Sequence, residues 1–404
     1  NFMYSVVKRQ SHITEENFFS DPELDKIITI KQKFEGRAFR KMNVMVFVME
    51  SFSYGFMDSS SHLYVPTPFL DSIRKESIWC ENAYGTGYES NKGLFTIMTG
   101  IPPLIDEPVY YSPYSNLKFT SLGNILKAKG YSTHFFMGTE YDHFGFAKAC
   151  KIAGLDHYHS SDEMKKEAIY DGYWGVYDHL YFKHAEDVIE NIRQPFFATI
   201  FNVSTHHPYA VPDSLKEPKS KKSKRDDQIS IQYFDHVLAD FFSRLKLMPG
   251  YENTIFVFVA DHSSPMRLRN PVANPMNLKI PLMIHIPGKK LMQRISKPVH
   301  QEDIVPSVLD LLGYSETFES FGKSVLDTSS NIIIWKKGEP YYSFDNKYLC
   351  YFNSQSGQVE GLYDLQIDRN MLHDLSKLRL ETAKKHSDAI KALIQRYHHF
   401  LLKR

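Results

Sequence analysis

The chain has 404 residues, 42% hydrophobic and 24% charged, the composition of a globular protein with room for one large domain and a smaller appendage. Lys plus Arg number 48 against 47 for Asp plus Glu, so no global field exists to attract nucleic acid, and a nucleic-acid partner is excluded. The three cysteines, Cys80, Cys150 and Cys350, form no CxxC pair, which argues against a zinc–thiolate site and allows at most one internal disulfide.

Residues 1–40 are polar and mixed in charge, and Asp21-Pro22 followed by Leu24, Ile27 and Ile28 predicts a short entering helix. Val44 to Met49 is a continuous apolar run, as expected of a strand buried on both faces of a parallel sheet. A helix is predicted from Pro68 to Lys75, another from Ser121 to Lys129 ending at Gly130, then a strand at Thr133–Met137. The alternation continues with a strand at Phe196–Val203, a helix at Ile229–Leu247, strands at Thr254–Val259 and Pro281–Ile286, and a helix at Asp303–Leu312 closed by Gly313. Strands alternating with helices predict an α/β fold with a mainly parallel sheet.

Beyond residue 330 the texture changes. Tyr341-Tyr342, Tyr348–Phe352 and Gly361–Leu365 read as short antiparallel strands, and Leu378–Leu402 as a long terminal helix. The predicted organisation is an N-terminal linker or helical arm (1–40), a catalytic α/β domain (41–328) and a small C-terminal α+β subdomain (329–404). No apolar run reaches the roughly 18–20 residues of a membrane span. No signal peptide is visible, and a start at Asn1 suggests a trimmed chain. A basic cluster, Lys219, Lys221, Lys222, Lys224 and Arg225, reads as a solvated loop, with a contact to anionic lipid headgroups as the alternative. The high aromatic content, 29 Phe and 25 Tyr, serves either core packing or pockets for sugars and lipids.

In an open α/β sheet, function gathers just beyond the carboxyl ends of the strands. Glu50 follows the first apolar run, Asp261-His262 the run at Thr254–Ala260, and Ser204-Thr205-His206-His207-Pro208 the run at Phe196–Val203. A carboxylate ending a strand more often serves a turn or a helix cap. Several carboxylates and imidazoles converging on one edge make an oxygen and nitrogen ligand set suited to Zn²⁺ or Mn²⁺. Gly85–Gly93 leads into the apolar stretch Leu94–Thr99 and places Ser90 at a helix N-terminus. That position suits either an N-cap serine or a nucleophile beside a bound phosphate, activated by a cation.

Asn43 to Phe52, Thr67–Leu70, Ser90-Asn91-Lys92-Gly93-Leu94, His206–Tyr209, Val259–His262, Gln301–Ser307, Leu309–Gly313 and Gly361–Leu365 occur in an order and spacing that resembles the lipoteichoic acid synthase and phosphoglycerol transferase family. That family belongs to the alkaline phosphatase and sulfatase superfamily, and the resemblance covers roughly residues 40–370. It implies an alkaline phosphatase-like fold and a phospho-group transferase or hydrolase acting on a phosphodiester. One divalent cation, typically manganese, with zinc or magnesium as alternatives, would be held by Glu50, Ser90, Asp261 and His262. Ser90 stands where the family has its nucleophile, more often threonine, and His206 matches its substrate histidine, with His207 as the alternative. The family's aromatic and arginine that bind glycerol phosphate align with Phe144 and Phe146, so the arginine's charge is absent. Lys92, Asp142 and His143 are candidates to substitute in part.

The resemblance further implies a phospholipid headgroup or envelope glycan as substrate, at a membrane surface. The chain would then be the extracytoplasmic domain of a bacterial inner-membrane protein whose membrane helices precede residue 1. Three rivals are a sulfatase, a phosphoethanolamine transferase and a non-catalytic lipid or glycan-binding domain. Ser90 lacks the C/S-x-P-x-R context of sulfatases, three cysteines are few for the second, and the intact set Glu50, Ser90, Asp261 and His262 argues against the third.

Overall fold

A computed structural model of the chain describes residues 13, 15–164, 168–215, 225–264, 274–289 and 291–402. Of the basic cluster, Lys219, Lys221, Lys222 and Lys224 lie outside the described residues. Arg225 lies within them and pairs with Asp227 at 3.3 Å.

The chain enters through helix α1 (Asp21–Ile27) and alternates through β1 (Asn43–Met49), α2 (Pro68–Lys75), β2 (Ile78–Cys80), α3 (Ser90–Thr99), α4 (Leu122–Ala128) and β3 (Ser132–Met137). It continues with α5 (Phe146–Ile152), β4 (His157–His159), α6 (Asp178–Glu190), β5 (Phe196–Phe201), α7 (Asp226–Leu245), β6 (Thr254–Ala260), β7 (Leu282–His285), β8 (Gln293–Ile295) and α8 (Ile304–Leu312). These eight strands form one sheet in the order β8-β2-β7-β6-β1-β5-β3-β4. Strand β7 runs antiparallel to both neighbours, and every other pairing is parallel.

Every residue of β1, β5 and β6 is buried. Both faces of these central strands are covered, so each run is almost wholly apolar rather than alternating, with Asn43, Thr199 and Thr254 as the buried polar exceptions. Phe47 of β1 stacks on Phe258 of β6 at 5.1 Å and meets Phe241 of α7 edge-on at 5.8 Å. The register aligns the strand ends: Val48 pairs with Phe201 and with Val259, and Met49 with Ala260. The residues that follow, Glu50, Asn202 and Asp261, therefore leave the sheet along one edge.

The predicted helix at 303–312 ends as expected, with Gly313 in the left-handed region (φ 72°), where an added Cβ would lie 2.6 Å from the Ala38 carbonyl oxygen. The strand expected to reach residue 203 stops at Phe201, because Val203 and Ser204 turn away to donate their N–H groups to the buried Asp178 carboxylate at 3.0 and 3.1 Å.

Past the sheet, β9 (Ile333–Lys336), β10 (Pro340–Phe344), β11 (Tyr348–Asn353) and β12 (Gln358–Asp364) form a four-stranded antiparallel sheet, followed by α9 (Leu380–Leu402). His386 Nδ1 of α9 lies 2.8 Å from Ser343 Oγ of β10. Gln395 of α9 clasps the incoming chain, accepting from the Phe18 and Phe19 N–H groups at 2.8 and 2.9 Å and donating to the Phe19 carbonyl at 2.8 Å. Cys80, Cys150 and Cys350 are all buried and free. Among the described residues no helix is long and apolar enough to cross a membrane.

Candidate active site at the carboxyl edge of the sheet

Glu50, Asp261 and His262 are 3%, 0% and 5% exposed, and their ligand atoms lie within 4.8 Å of one another. Each carboxylate is held in place by neighbours that leave one oxygen for the centre. Asp261 Oδ1 accepts from the N–H of Ser51 at 2.8 Å and of His262 at 2.7 Å. Glu50 Oε1 accepts from Ser51 Oγ at 2.7 Å. Ser51 manages both contacts from a left-handed backbone conformation (φ 52°), a strained state for a non-glycine residue. The Glu50 backbone is pinned as well: its N–H donates to Asn202 Oδ1 at 2.8 Å, and its carbonyl accepts from Thr205 Oγ1 at 2.6 Å.

Asp261 Oδ2 is buried and accepts no hydrogen bond, and His262 Nε2 lies 3.3 Å from it. A bare carboxylate oxygen is costly in a low-dielectric interior unless a positive charge meets it. Burial, and then the adjacent Glu50 charge, push the Asp261 carboxyl up to about 7. Burial would lower the His262 imidazole, but the Asp261 and Glu50 charges outweigh it and hold it above its ordinary value. His262 Nδ1 donates to the Ser263 carbonyl at 2.9 Å, which assigns the Nε2 lone pair to the centre. Two carboxylates and an imidazole nitrogen, with one oxygen orphaned, fit a divalent cation such as Mn²⁺, Zn²⁺ or Mg²⁺.

Ser90 completes the group. Its Oγ donates to Glu50 Oε2 at 3.1 Å and lies 3.1 Å from His262 Nε2. The N-cap alternative is overturned: Glu89 occupies the cap position and Ser90 is the first residue of α3, its hydroxyl turned to the acidic centre. The glycine three residues on explains how the helix comes so close. A Cβ on Gly93 would lie 2.0 Å from the Asp261 carbonyl oxygen, so any larger residue would push α3 and its serine away from β6.

The second part of the site stands on loops. His206 Nδ1 donates to the His207 carbonyl at 2.6 Å, leaving Nε2 free for a substrate. Trp174 Nε1 donates to the same carbonyl at 2.7 Å, and its ring meets His206 edge-on at 4.4 Å. Phe144 packs against Trp174 at 5.4 Å and His143 against Phe144 at 4.2 Å. His143, Phe144 and His206 thus join in one aromatic wall with Trp174. Phe144 sits at φ 61° and Asp142 at φ 57°, so this loop is strained.

Phe146 does not line the wall: it is 1% exposed and stacks on Phe201 at 5.8 Å in the core. Lys92 pairs with Glu89 one turn away at 3.4 Å, and His207 packs its ring on Tyr209 at 5.6 Å. Sequence reasoning missed Trp174 and Ser51. Trp174 follows no long apolar run and lies in a loop of tyrosines and glycines that shows no period. Ser51 carried a signal, its place immediately after the strand-end carboxylate.

A sulfatase family model matches residues 42–314, more than half of the chain. Lipoteichoic acid synthase 1 of Bacillus subtilis is 25% identical over 338 residues, covering 75% of this chain and 52% of that protein. Phosphoglycerol transferase I of Escherichia fergusonii is 25% identical over 316 residues, covering 72% of this chain and 40% of that protein. The chain spans about half the length of the curated relatives it matches. Among solved structures, the lipoteichoic acid synthase LtaP from Listeria monocytogenes superposes with a TM-score of 0.78 at 20% identity, over 94% of this chain and 98% of that one. A protein of the alkaline phosphatase superfamily from Vibrio parahaemolyticus gives 0.77 at 21% identity, over 94% and 93%. The likenesses give the fold as alkaline phosphatase-like, and the match over residues 42–314 makes the chain a member of the sulfatase family.

Proposed function

We propose that the chain moves a phospho group from a phosphodiester, such as a phospholipid headgroup, to water or an acceptor hydroxyl through a covalent phosphoserine on Ser90. The observation that carries this is the position of Ser90 Oγ, 3.1 Å from both Glu50 Oε2 and His262 Nε2 at the head of a ten-residue helix. A divalent cation, with Mn²⁺ expected, would be held by Glu50, Asp261, His262 and Ser90 and would supply Lewis-acid stabilisation of the serine oxygen and the phosphoryl charge. Ser90 Oγ attacks phosphorus in line, the bond to the leaving alcohol breaks, and the serine proton passes to Glu50, whose Oε2 lies 3.1 Å from Oγ. His206, protonated on Nε2, gives its proton to the leaving alkoxide, and then takes one from the water or hydroxyl that releases the phosphoserine. His143, His207 and Lys92 are proposed to contact the rest of the substrate.

The named relatives, a lipoteichoic acid synthase and a phosphoglycerol transferase, support an envelope substrate. They also support a place outside the bacterial inner membrane, at the lipid surface. The test is mass spectrometry of the protein quenched with phosphatidylglycerol vesicles and Mn²⁺. A phosphorylated or phosphoglycerylated Ser90 is expected, and a Ser90→Ala variant with full turnover would refute the assignment.

A further inference from the structure

The segment Gln301-Glu302-Asp303 is one of the stretches that carry the family resemblance, yet none of its residues reaches the acidic centre directly. Gln301 is 1% exposed and uses the whole hydrogen-bonding capacity of its amide. Its Nε2 donates to the carbonyls of Ala260 and Asp261, both at 2.7 Å. Its Oε1 accepts from the backbone N–H and the hydroxyl of Thr86, both at 2.9 Å. One side chain therefore joins the end of β6, which presents Asp261 and His262, to the loop that leads into Ser90.

The segment that carries Gln301 is itself anchored. The His300 N–H donates to Asp303 Oδ2 at 2.9 Å, and Asp303 Oδ1 accepts from the Lys323 N–H at 2.7 Å. His300 Nε2 lies 3.2 Å from the Gly85 carbonyl, beside Thr86. The Asp261 carbonyl is thus approached by the Gln301 amide and by the bare Cα of Gly93.

Resting on the proposed phospho-group chemistry, we infer that Gln301 is a positioning residue that sets the separation between the cation-binding pair Asp261-His262 and the nucleophile Ser90. It touches neither cation nor substrate and acts through the two backbones it clasps. Partners of this kind around metal ligands typically change metal affinity or activity by about 10–100-fold when removed.

Gln301→Met keeps the volume and removes all four bonds. Mn²⁺ titrated by calorimetry into the metal-free chain is expected to bind about tenfold more weakly, with kcat on bis(p-nitrophenyl) phosphate lowered at least tenfold and KM little changed. Thr86→Val removes one of the four bonds and is expected to cost less on both readings. Gln301→Glu separates positioning from simple packing. The introduced carboxylate still accepts from Thr86 but loses both donors, and protonation restores one of them. Its activity relative to the wild type is therefore expected to rise as pH falls. The inference is overturned if Gln301→Met binds Mn²⁺ and turns over as the wild type does. It is also overturned if melting temperature alone moves while Gln301→Glu keeps the wild-type pH profile. Either result leaves the role of Ser90 standing, because Ser90→Ala tests that separately.

Discussion

The two halves of the site are built differently. Glu50, Asp261 and His262 hang from adjacent parallel strands whose register is set by backbone hydrogen bonds, and all three are buried. The wall of His143, Phe144, Trp174 and His206 stands on loops, with Phe144 41% exposed and held in a left-handed conformation. A rigid scaffold is what a cation and an in-line attack require, since small displacements there are costly. Loops are where a fold varies what it recognises. Under the proposed function, the sheet edge would decide which bond breaks, and the wall what is attached to it. Changes at the first should abolish chemistry, and changes at the second should redistribute it.

The largest expected effect is at Asp261. Asp261→Asn keeps the shape and the Oδ1 contacts but removes the charge facing the centre. Turnover is expected to fall by at least about 10³-fold, with loss of bound metal measured by elemental analysis. Near-normal turnover would break the division drawn above.

The same residue predicts a pH dependence for the chain stripped of metal. The Asp261 carboxyl is raised to about 7 from an unfolded value of 3.8. A raised folded value means the stabilising contribution is complete below about pH 4, declines as the proton leaves, and is gone above about pH 7. His262, raised above 6.5, acts in the same sense at the upper end of that range. The stability difference between wild type and Asp261→Asn, from denaturant titrations with chelator present, is expected to shift against the wild type by on the order of 3–4 kcal/mol between pH 4 and pH 8. Saturating Mn²⁺ should remove most of that slope. A flat difference curve would mean the carboxylates are not paying an electrostatic cost for sharing a buried site.

A smaller effect is expected in the wall. Trp174→Phe keeps a ring against His206 and removes the indole donor to the His207 carbonyl. Loss of one exposed hydrogen bond that orients the proposed acid is worth about 1 kcal/mol, or roughly fivefold in kcat/KM. Mn²⁺ affinity should stay at the wild-type value, and a matching loss of affinity would show that wall and sheet edge are not separable.

What could be seen in the sequence follows the same division. Glu50, Asp261 and His262 were legible because each follows a long apolar run, and strand ends of a parallel sheet fall on one side. Ser90 was visible as a helix start, but only coordinates separate a cap from a hydroxyl turned inward, since both occupy the same turn. Helices α5 and α6 and the strands β2, β4, β8 and β9 were not anticipated. The strands are three or four residues long, too short to show a period. In α6, Asp178, buried at 1%, and His179 break the apolar stripe. Asp178 serves the turn carrying His206 instead, accepting from the Val203 and Ser204 N–H groups. Alignment by sequence placed Phe146 at the wall. The left-handed residues at 142, 144 and 145 turn the chain so that Phe144 faces outward and Phe146 goes to the core.

That turn gives the smallest and sharpest contrast. A phenylalanine at φ 61° holds its Cβ close to the backbone carbonyl, at a cost of about 1–2 kcal/mol that a glycine would not incur. The ring is 41% exposed, so truncating it gives up only part of its burial. Phe144→Gly should therefore leave stability unchanged or raise it by about 1 kcal/mol, as read by chemical denaturation, while the discrimination between phosphodiesters with different headgroups falls several-fold. A residue whose removal stabilises the fold and blunts selectivity is one retained for what it touches. If Phe144→Gly instead destabilised the chain by 2 kcal/mol or more with selectivity intact, the wall would be part of the packing, and the search for the specificity element would move to the tyrosines exposed beside it, Tyr141 and Tyr173.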